Sequence, residues 1–414
     1  MKKYFLCVLA VTMVMLFGFA FSATAEEGVT DTEIHVGQWS PQTGPAAPWG
    51  SVARGTDAYF KMINAEGGIH GRKLVHHYFD DGYNPAKTMA GVKQLQEEVG
   101  MFAWVVGVGT APGLAVKDYL MDRKIPWVGP AAASRHWVEP PNKYLFNDYP
   151  LYLGDAQVLS QYAVEKLGFK KIAIAYQNDD YGKQGLEGAE KQLAKYGLKL
   201  VEAIPVNVKD TDMKPHIMKF RKAEAEAVLL FVSPGHVARL QGTGKAMEFT
   251  PQWMSTSTCS DVPLMMAITK GGFAGTIFAG LVASGDLKIG SIDDLNKPTN
   301  PLLKKYYDDA FKKYAAKEER WGVFFVAGFS FAEPFVEGLK RCGRDLTRDN
   351  LVAAMEKIKN SRGIAGPVSY APFDPNDPKC RLGASAIWLG QATADAKTKI
   401  LTDWTQTEYI PMSK

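Results

Sequence analysis

Apolar residues along this chain follow two rhythms that take turns. Glu33–Trp39 reads as a strand running into the loop Ser40-Pro41-Gln42-Thr43-Gly44-Pro45. From about Ser51 the spacing becomes helical, with Val52, Tyr59, Phe60 and Ile63 recurring until Gly67-Gly68 stops it. A second strand at Lys73–Phe79 leads through Asp80-Asp81-Gly82 to a helix opened by Pro85. Phe102–Val108 is a third, fully apolar strand, followed by a helix to about Asp122 and a fourth strand at Ile125–Gly129. Strict alternation of strand and helix predicts an α/β fold with a parallel sheet covered on both faces.

The rhythm restarts after Tyr149-Pro150. A helix near Asp155–Leu167, a strand at Lys171–Tyr176, a helix over Gly182–Tyr196 and a strand at Lys199–Val206 follow, and apolar strands at Ala227–Val232 and Thr276–Leu281 continue it. Two doubly wound halves predict two lobes with a cleft between them, and open α/β sheets bind ligands outside the carboxyl ends of their strands. The expected first lobe takes residues 26–150 and 281–365, and the second takes 151–280 and 366–414. The chain then crosses between lobes near Pro150, Leu281 and Gly366, a three-strand hinge.

The first residues bear on location. Lys2 and Lys3 precede a mostly apolar run from Tyr4 to Phe21, and Ala23-Thr24-Ala25 supplies a small-x-small pattern, as in an export leader cut after Ala25. Cys7 lies inside that run rather than at its end, which argues against a lipid anchor. No second apolar stretch approaches the roughly 20 residues of a spanning helix, so a soluble product outside the cytoplasm is expected. The formal net charge is +4, half of it from Lys2 and Lys3, and this near-balance gives no basis for binding nucleic acid. Beyond the leader stand Cys259, Cys342 and Cys380. In an oxidising compartment Cys342 with Cys380, both in loop-like Gly/Pro/Arg settings, is the favoured disulfide, and three unpaired thiols are the alternative.

Enzyme motifs are weak. Val106-Gly107-Val108-Gly109-Thr110-Ala111-Pro112-Gly113 follows a strand and opens a helix, but its third glycine comes one residue late and Pro112 intrudes, against a dinucleotide site. What survives is the pair of free N–H groups of Thr110 and Ala111 at a helix start, with the Thr110 hydroxyl, which suit a carboxylate or similar acceptor; a tight turn needing small residues is the competing reading. His76 and His77, adjacent on a strand, point to opposite faces and are read as structural. Gly328-Phe329-Ser330-Phe331-Ala332 misses the nucleophile elbow, which leaves an exported hydrolase unsupported. Trp39, Trp49, Trp127, Tyr149 and Tyr181 fall near strand ends or on the lobe connection, where aromatic rings give a cleft apolar walls.

Several segments together resemble one family. They are Thr43-Gly44-Pro45 with Trp49-Gly50, Ile63-Asn64 with Gly67-Gly68-Ile69 and Gly71-Arg72-Lys73-Leu74, Asp80-Asp81 with Pro85, Ile125-Pro126 with Gly129-Pro130-Ala131-Ala132, and Ile172-Ala173 with Asp180-Tyr181-Gly182. In these the chain, from about Thr32 to Ile358, is similar to the branched-chain amino acid binding proteins of ABC transporters, the periplasmic type I solute receptors. The resemblance implies a monomeric, cofactor-free and metal-free receptor for a small molecule, partnered by membrane permease subunits; a ligand-sensing receptor for a signalling partner is the alternative. It implies that Trp49 walls the ligand, that Thr110 and Ala111 with the Ala131–Ser134 loop hold a carboxylate, and that Tyr181 closes from the other lobe. Two positions depart from the family. Ala133, with Ser134 next to it, replaces a loop threonine, and Ser257 stands where the acid that meets a ligand ammonium belongs, with Asp261 as a substitute. The expected ligand is therefore a small carboxylate-bearing organic solute with an apolar or aromatic body, an amino acid, an aromatic acid or a related amide, which need not carry an α-ammonium.

Overall fold

The computed structural model describes residues 26–280, 301–363 and 366–412. The expected leader and its cleavage point lie outside the described residues, as does the expected crossing at Leu281.

The first lobe runs β1 Glu33–Ser40, α1 Ser51–Ala65, β2 Lys73–Asp80, α2 Pro85–Glu98, β3 Ala103–Val105, α3 Thr110–Asp122, β4 Trp127–Val128 and β5 Leu145–Phe146. Its strands pair in parallel in the order β2-β1-β3-β4-β5. The second lobe continues with α4 Tyr152–Glu165, β6 Ile172–Gln177, α5 Asp180–Ala194, β7 Glu202–Val206, α6 Lys214–Lys222, β8 Ala227–Phe231, α7 Pro234–Ala246, β9 Gln252–Ser255, α8 Val262–Ile268 and β10 Ile277–Gly280. There β10-β9-β8-β6-β7 are parallel neighbours.

The chain then returns to the first lobe. Helix α9, Val323–Cys342, lies along α1 with no room between them: a Cβ on Gly55 would stand 1.9 Å from Phe325 O, and one on Gly328 2.2 Å from Val52 O. The glycine-containing segment earlier set aside as a nucleophile elbow is thus a helix–helix contact. Helix α10, Arg348–Met355, packs on α9.

Three expectations change here. Gly366 begins β12, Gly366–Val368, which forms a hairpin with β11, Ser361–Gly363. Beyond it the chain stays beside the first sheet, because Asn147 N–H donates to Arg381 O and Gly383 N–H donates to Asn147 O. It enters the second sheet only at β13, Ala386–Ala392, which runs antiparallel to β10 and to β14, Thr398–Ile400, so that sheet is mixed rather than wholly parallel. Cys259, Cys342 and Cys380 are all free, so the Cys342–Cys380 disulfide is not formed: Cys342 ends α9, whereas the buried Cys380 turns its thiol toward Asp374 O.

The first lobe's core is built on indoles. The ring of Trp39 lies 5.8 Å from that of Trp104 and 4.9 Å from that of Trp127, which lies 4.8 Å from Trp137. All four are fully buried, and aromatic side chains of this size dominate the apolar area removed from water. His76 is buried toward Asp57 and Gln38, and His77 meets His35 on the opposite face.

Candidate functional site

Strand β3 stops earlier than its apolar sequence suggests, because Val106, Gly107 and Gly109 all take positive φ. For a β-branched residue such as Val106 this conformation is strained. The bend brings Gly107 under the Trp39 indole and Gly109 under the Tyr83 ring, where a Cβ would stand 2.5 Å from ring carbon in each case. It also brings Val108 and Gly109 to the space between the lobes, whereas Thr110 is fully buried and neither it nor Ala111 lines that space. Gly109, the N-cap residue, offers no side chain to the Thr110 and Ala111 N–H groups, and Pro112 has none to offer.

That space is a narrow cavity of about 30 Å³ in this closed arrangement. The first lobe contributes Trp49, Val52, Tyr83, Val108, Gly109 and Ala131, together with Phe324, Ala327 and Phe331 of α9; the second contributes Tyr152 and Thr258, and Tyr149 comes from the connection. None of these side chains is charged at neutral pH, and burial pushes the Tyr83 and Tyr149 phenols further from ionisation. Trp49 sits in the helical turn Ala47–Gly50. Its ring lies 5.8 Å from Tyr83 and edge-on to Tyr181 at 6.5 Å, and its indole N–H donates to Thr258 O at 2.8 Å across the cleft.

The other expected residues divide. Trp39 and Trp127 belong to the indole core and are not cavity walls, since their rings pack on each other and on those of Trp104 and Trp137. Tyr181 stands behind the Tyr152 ring, its hydroxyl 2.9 Å from the Thr258 hydroxyl. Ala133 gives its carbonyl to Tyr152 N–H at 2.7 Å. The Ser134 hydroxyl accepts from Gln184 Nε2 at 2.8 Å, which commits it to the facing lobe. Beside it, Arg135 pairs with Glu187 of α5 at 2.9 Å and also holds the Ile410 and Pro411 carbonyls.

Ser257 is matched to an acid after all, supplied by a different element. Asp155 Oδ2, in the first turn of α4, accepts from Thr256 Oγ1 at 2.7 Å, Ser257 N at 2.9 Å and Ser257 Oγ at 2.6 Å, and the Tyr149 hydroxyl lies 2.8 Å from Ser257 Oγ. Burial raises the Asp155 carboxyl to about 6 against these hydrogen bonds. It lies behind Ser257, not on the cavity wall. Asp261, the other acid considered, caps α8 through Leu264 N and reaches Phe324 N at 3.3 Å, at the start of α9.

Sequence reasoning missed Tyr83, Tyr152, Asp155 and the phenylalanines of α9. Tyr152 had a signal, its position two residues past Pro150. Asp155 had another, a lone acid in a stretch that is otherwise uncharged from residue 152 to residue 164.

Two α/β lobes closing on a cleft at their strand ends define a type I periplasmic binding protein. The chain belongs to the periplasmic binding protein family, which it matches over residues 33–385, and it is a solute-binding protein of the kind that serves ABC transporters. It is 28% identical over 376 residues to the Leu/Ile/Val-binding protein homolog 3 of Brucella melitensis, covering 87% of this chain and 92% of that one. In fold it is similar to a fatty acid ABC transporter substrate-binding protein from Thermomonospora curvata, with a TM-score of 0.79, 22% identity and coverage of 93% and 95% of the two chains. It is likewise similar to an ABC transporter solute-binding protein from R. palustris in complex with benzoate, with a TM-score of 0.75, 17% identity and coverage of 92% and 100%. Among the described residues no helix is long and apolar enough to cross a membrane.

Proposed function

We propose that this protein is the extracytoplasmic receptor of an ABC uptake transporter, and that it captures a small organic solute bearing a carboxylate and an apolar or aromatic body, without altering it. The observation that carries this reading is the chemistry of the cavity walls, which are rings, aliphatic groups and hydroxyls with no acid or base among them. A buried ammonium without a carboxylate partner is costly. Asp155 stands behind Ser257, its Oδ2 taken by three donors and its Oδ1 buried without a partner, and Asp261 is engaged by backbone N–H groups; neither acid lies on the cavity wall, which speaks against an α-amino acid. A carboxylate has partners in the Thr110 hydroxyl and the N–H groups at the start of α3.

The relatives' names span branched-chain amino acids, a fatty acid transporter and a benzoate complex, so ligand chemistry has to come from this cleft. Calorimetric titration with leucine, phenylalanine and their deaminated acids discriminates. The deaminated acids are expected to bind more tightly, and the ligand should be recovered unchanged by mass spectrometry. Tight leucine binding with no binding of the deaminated acids overturns the reading.

A further inference from the structure

The segment that follows β13 and β14 is bonded to both lobes within a few residues. Strand β15, Thr405–Gln406, pairs antiparallel with β13 of the second sheet. Thr407 then donates its N–H and its hydroxyl to Ser385 O at 3.0 and 2.8 Å. It also fits against α4, where a Cβ on Gly154 would stand 2.7 Å from Thr407 Cγ2. Glu408 N–H donates to Gln157 Oε1 of α4 at 3.2 Å, Glu408 O accepts from Gln157 Nε2 at 3.3 Å, and the Glu408 carboxylate pairs with Lys195 at the end of α5 at 2.7 Å. These bonds attach Thr407 and Glu408 to the second lobe.

The residues that come next are held by the first lobe. The Tyr409 hydroxyl donates to Glu139 Oε2 at 2.6 Å, and Met412 N–H donates to the same oxygen at 2.8 Å. Arg135 Nη1 donates to Ile410 O at 3.0 Å and to Pro411 O at 3.1 Å. Arg135 and Glu139 lie in the loop between β4 and β5, which Trp137 roots in the indole core and which also presents Ala131 to the cavity. All four bonds engage an ionised side chain, the stronger kind of hydrogen bond. The change of lobe falls between Glu408 and Tyr409, and adjacent Cα atoms are only about 3.8 Å apart. A swing of the first lobe away from α5 carries Arg135 and Glu139 away from Glu408, so one of the two sets of bonds has to let go.

We propose that Thr407–Met412 is an interlobe clasp: it stays on the second lobe, grips Arg135 and Glu139 of the first when the cleft is closed, and so sets how readily the cleft opens to admit and release solute. Glu139→Ala removes the acceptor of two of the four bonds, and Tyr409→Phe removes one donor while keeping the ring. Small-angle scattering of the unliganded proteins is expected to give a larger radius of gyration for Glu139→Ala than for the wild type. Titration with benzoate, phenylacetate and 4-methyl-2-oxopentanoate is expected to give about tenfold weaker binding by Glu139→Ala and a smaller loss by Tyr409→Phe. In the double variant Tyr409→Phe should add nothing, because its hydroxyl acts through Glu139. Equal radii overturn the clasp, and so do unchanged affinities for an acid that the wild type binds, or losses that add in the double variant. If the wild type binds none of the three acids, the carboxylate reading falls, and the radii alone decide the clasp.

Discussion

Trp49 acts through both its face and its edge. The ring walls the cavity beside Tyr83, while the indole N–H reaches Thr258 O on the other lobe. Trp49→Ala is expected to weaken ligand binding by roughly 1–3 kcal/mol while leaving the thermal midpoint of the unliganded protein nearly unchanged. Calorimetry and a melting curve check the two halves of this statement, and an equal loss of unliganded stability would make Trp49 a core residue instead. Asp155 gives a pH prediction. Its carboxyl is raised from 3.8 to about 6 by burial, and no cation acts on it. A raised acid stabilises the fold fully below its unfolded value, and the contribution is lost as pH rises through about 6, on the order of 3 kcal/mol in all. Asp155→Asn should therefore flatten the dependence of the melting temperature on pH between about 4 and 7. Parallel curves for variant and wild type would count against it.

Helix α5 is the element that latches the lobes. Its residues Gln184 and Glu187 face the loop after β4, where Gln184 accepts from Arg135 N at 2.7 Å and donates to Ser134, and Glu187 pairs with Arg135. The Glu187→Gln variant should bind ligand several-fold more weakly. Because the ion pair is partly exposed, the difference should shrink as salt rises toward about 1 M. Titrations at low and high salt test this, and a difference independent of salt would mean that Glu187 acts through shape rather than charge. The same loop illustrates a limit of sequence reading. Ser134 looked like a ligand group because of its neighbours in the chain, yet its partner lies 50 residues away on the facing helix.

For the whole molecule, the bonds from Trp49 to Thr258, from Gln177 to Tyr83 and from Gln184 to Ser134 all span the lobes. Such contacts can form only in a closed arrangement, and hinge closure around ligand is the expected motion. Small-angle scattering should show compaction on saturation with a bound acid. A radius of gyration that does not change on saturation would sink hinge closure as the binding motion.

The alternation of strand and helix was enough to determine an α/β chain with two lobes and a cleft at the strand ends, because periodicity of burial is a local property of sequence. The segments around Trp49, Thr110 and Ala131 were legible for the same reason: each directly follows a strand. Only the tertiary structure decided which aromatic rings face the cleft. Trp39 and Trp49 are ten residues apart and equally apolar, but the first is packed among indoles and the second against the other lobe. It alone could also pair Asp155 with Ser257, 102 residues apart. Contacts between distant segments depend on how two lobes meet, and no spacing within either segment carries that information.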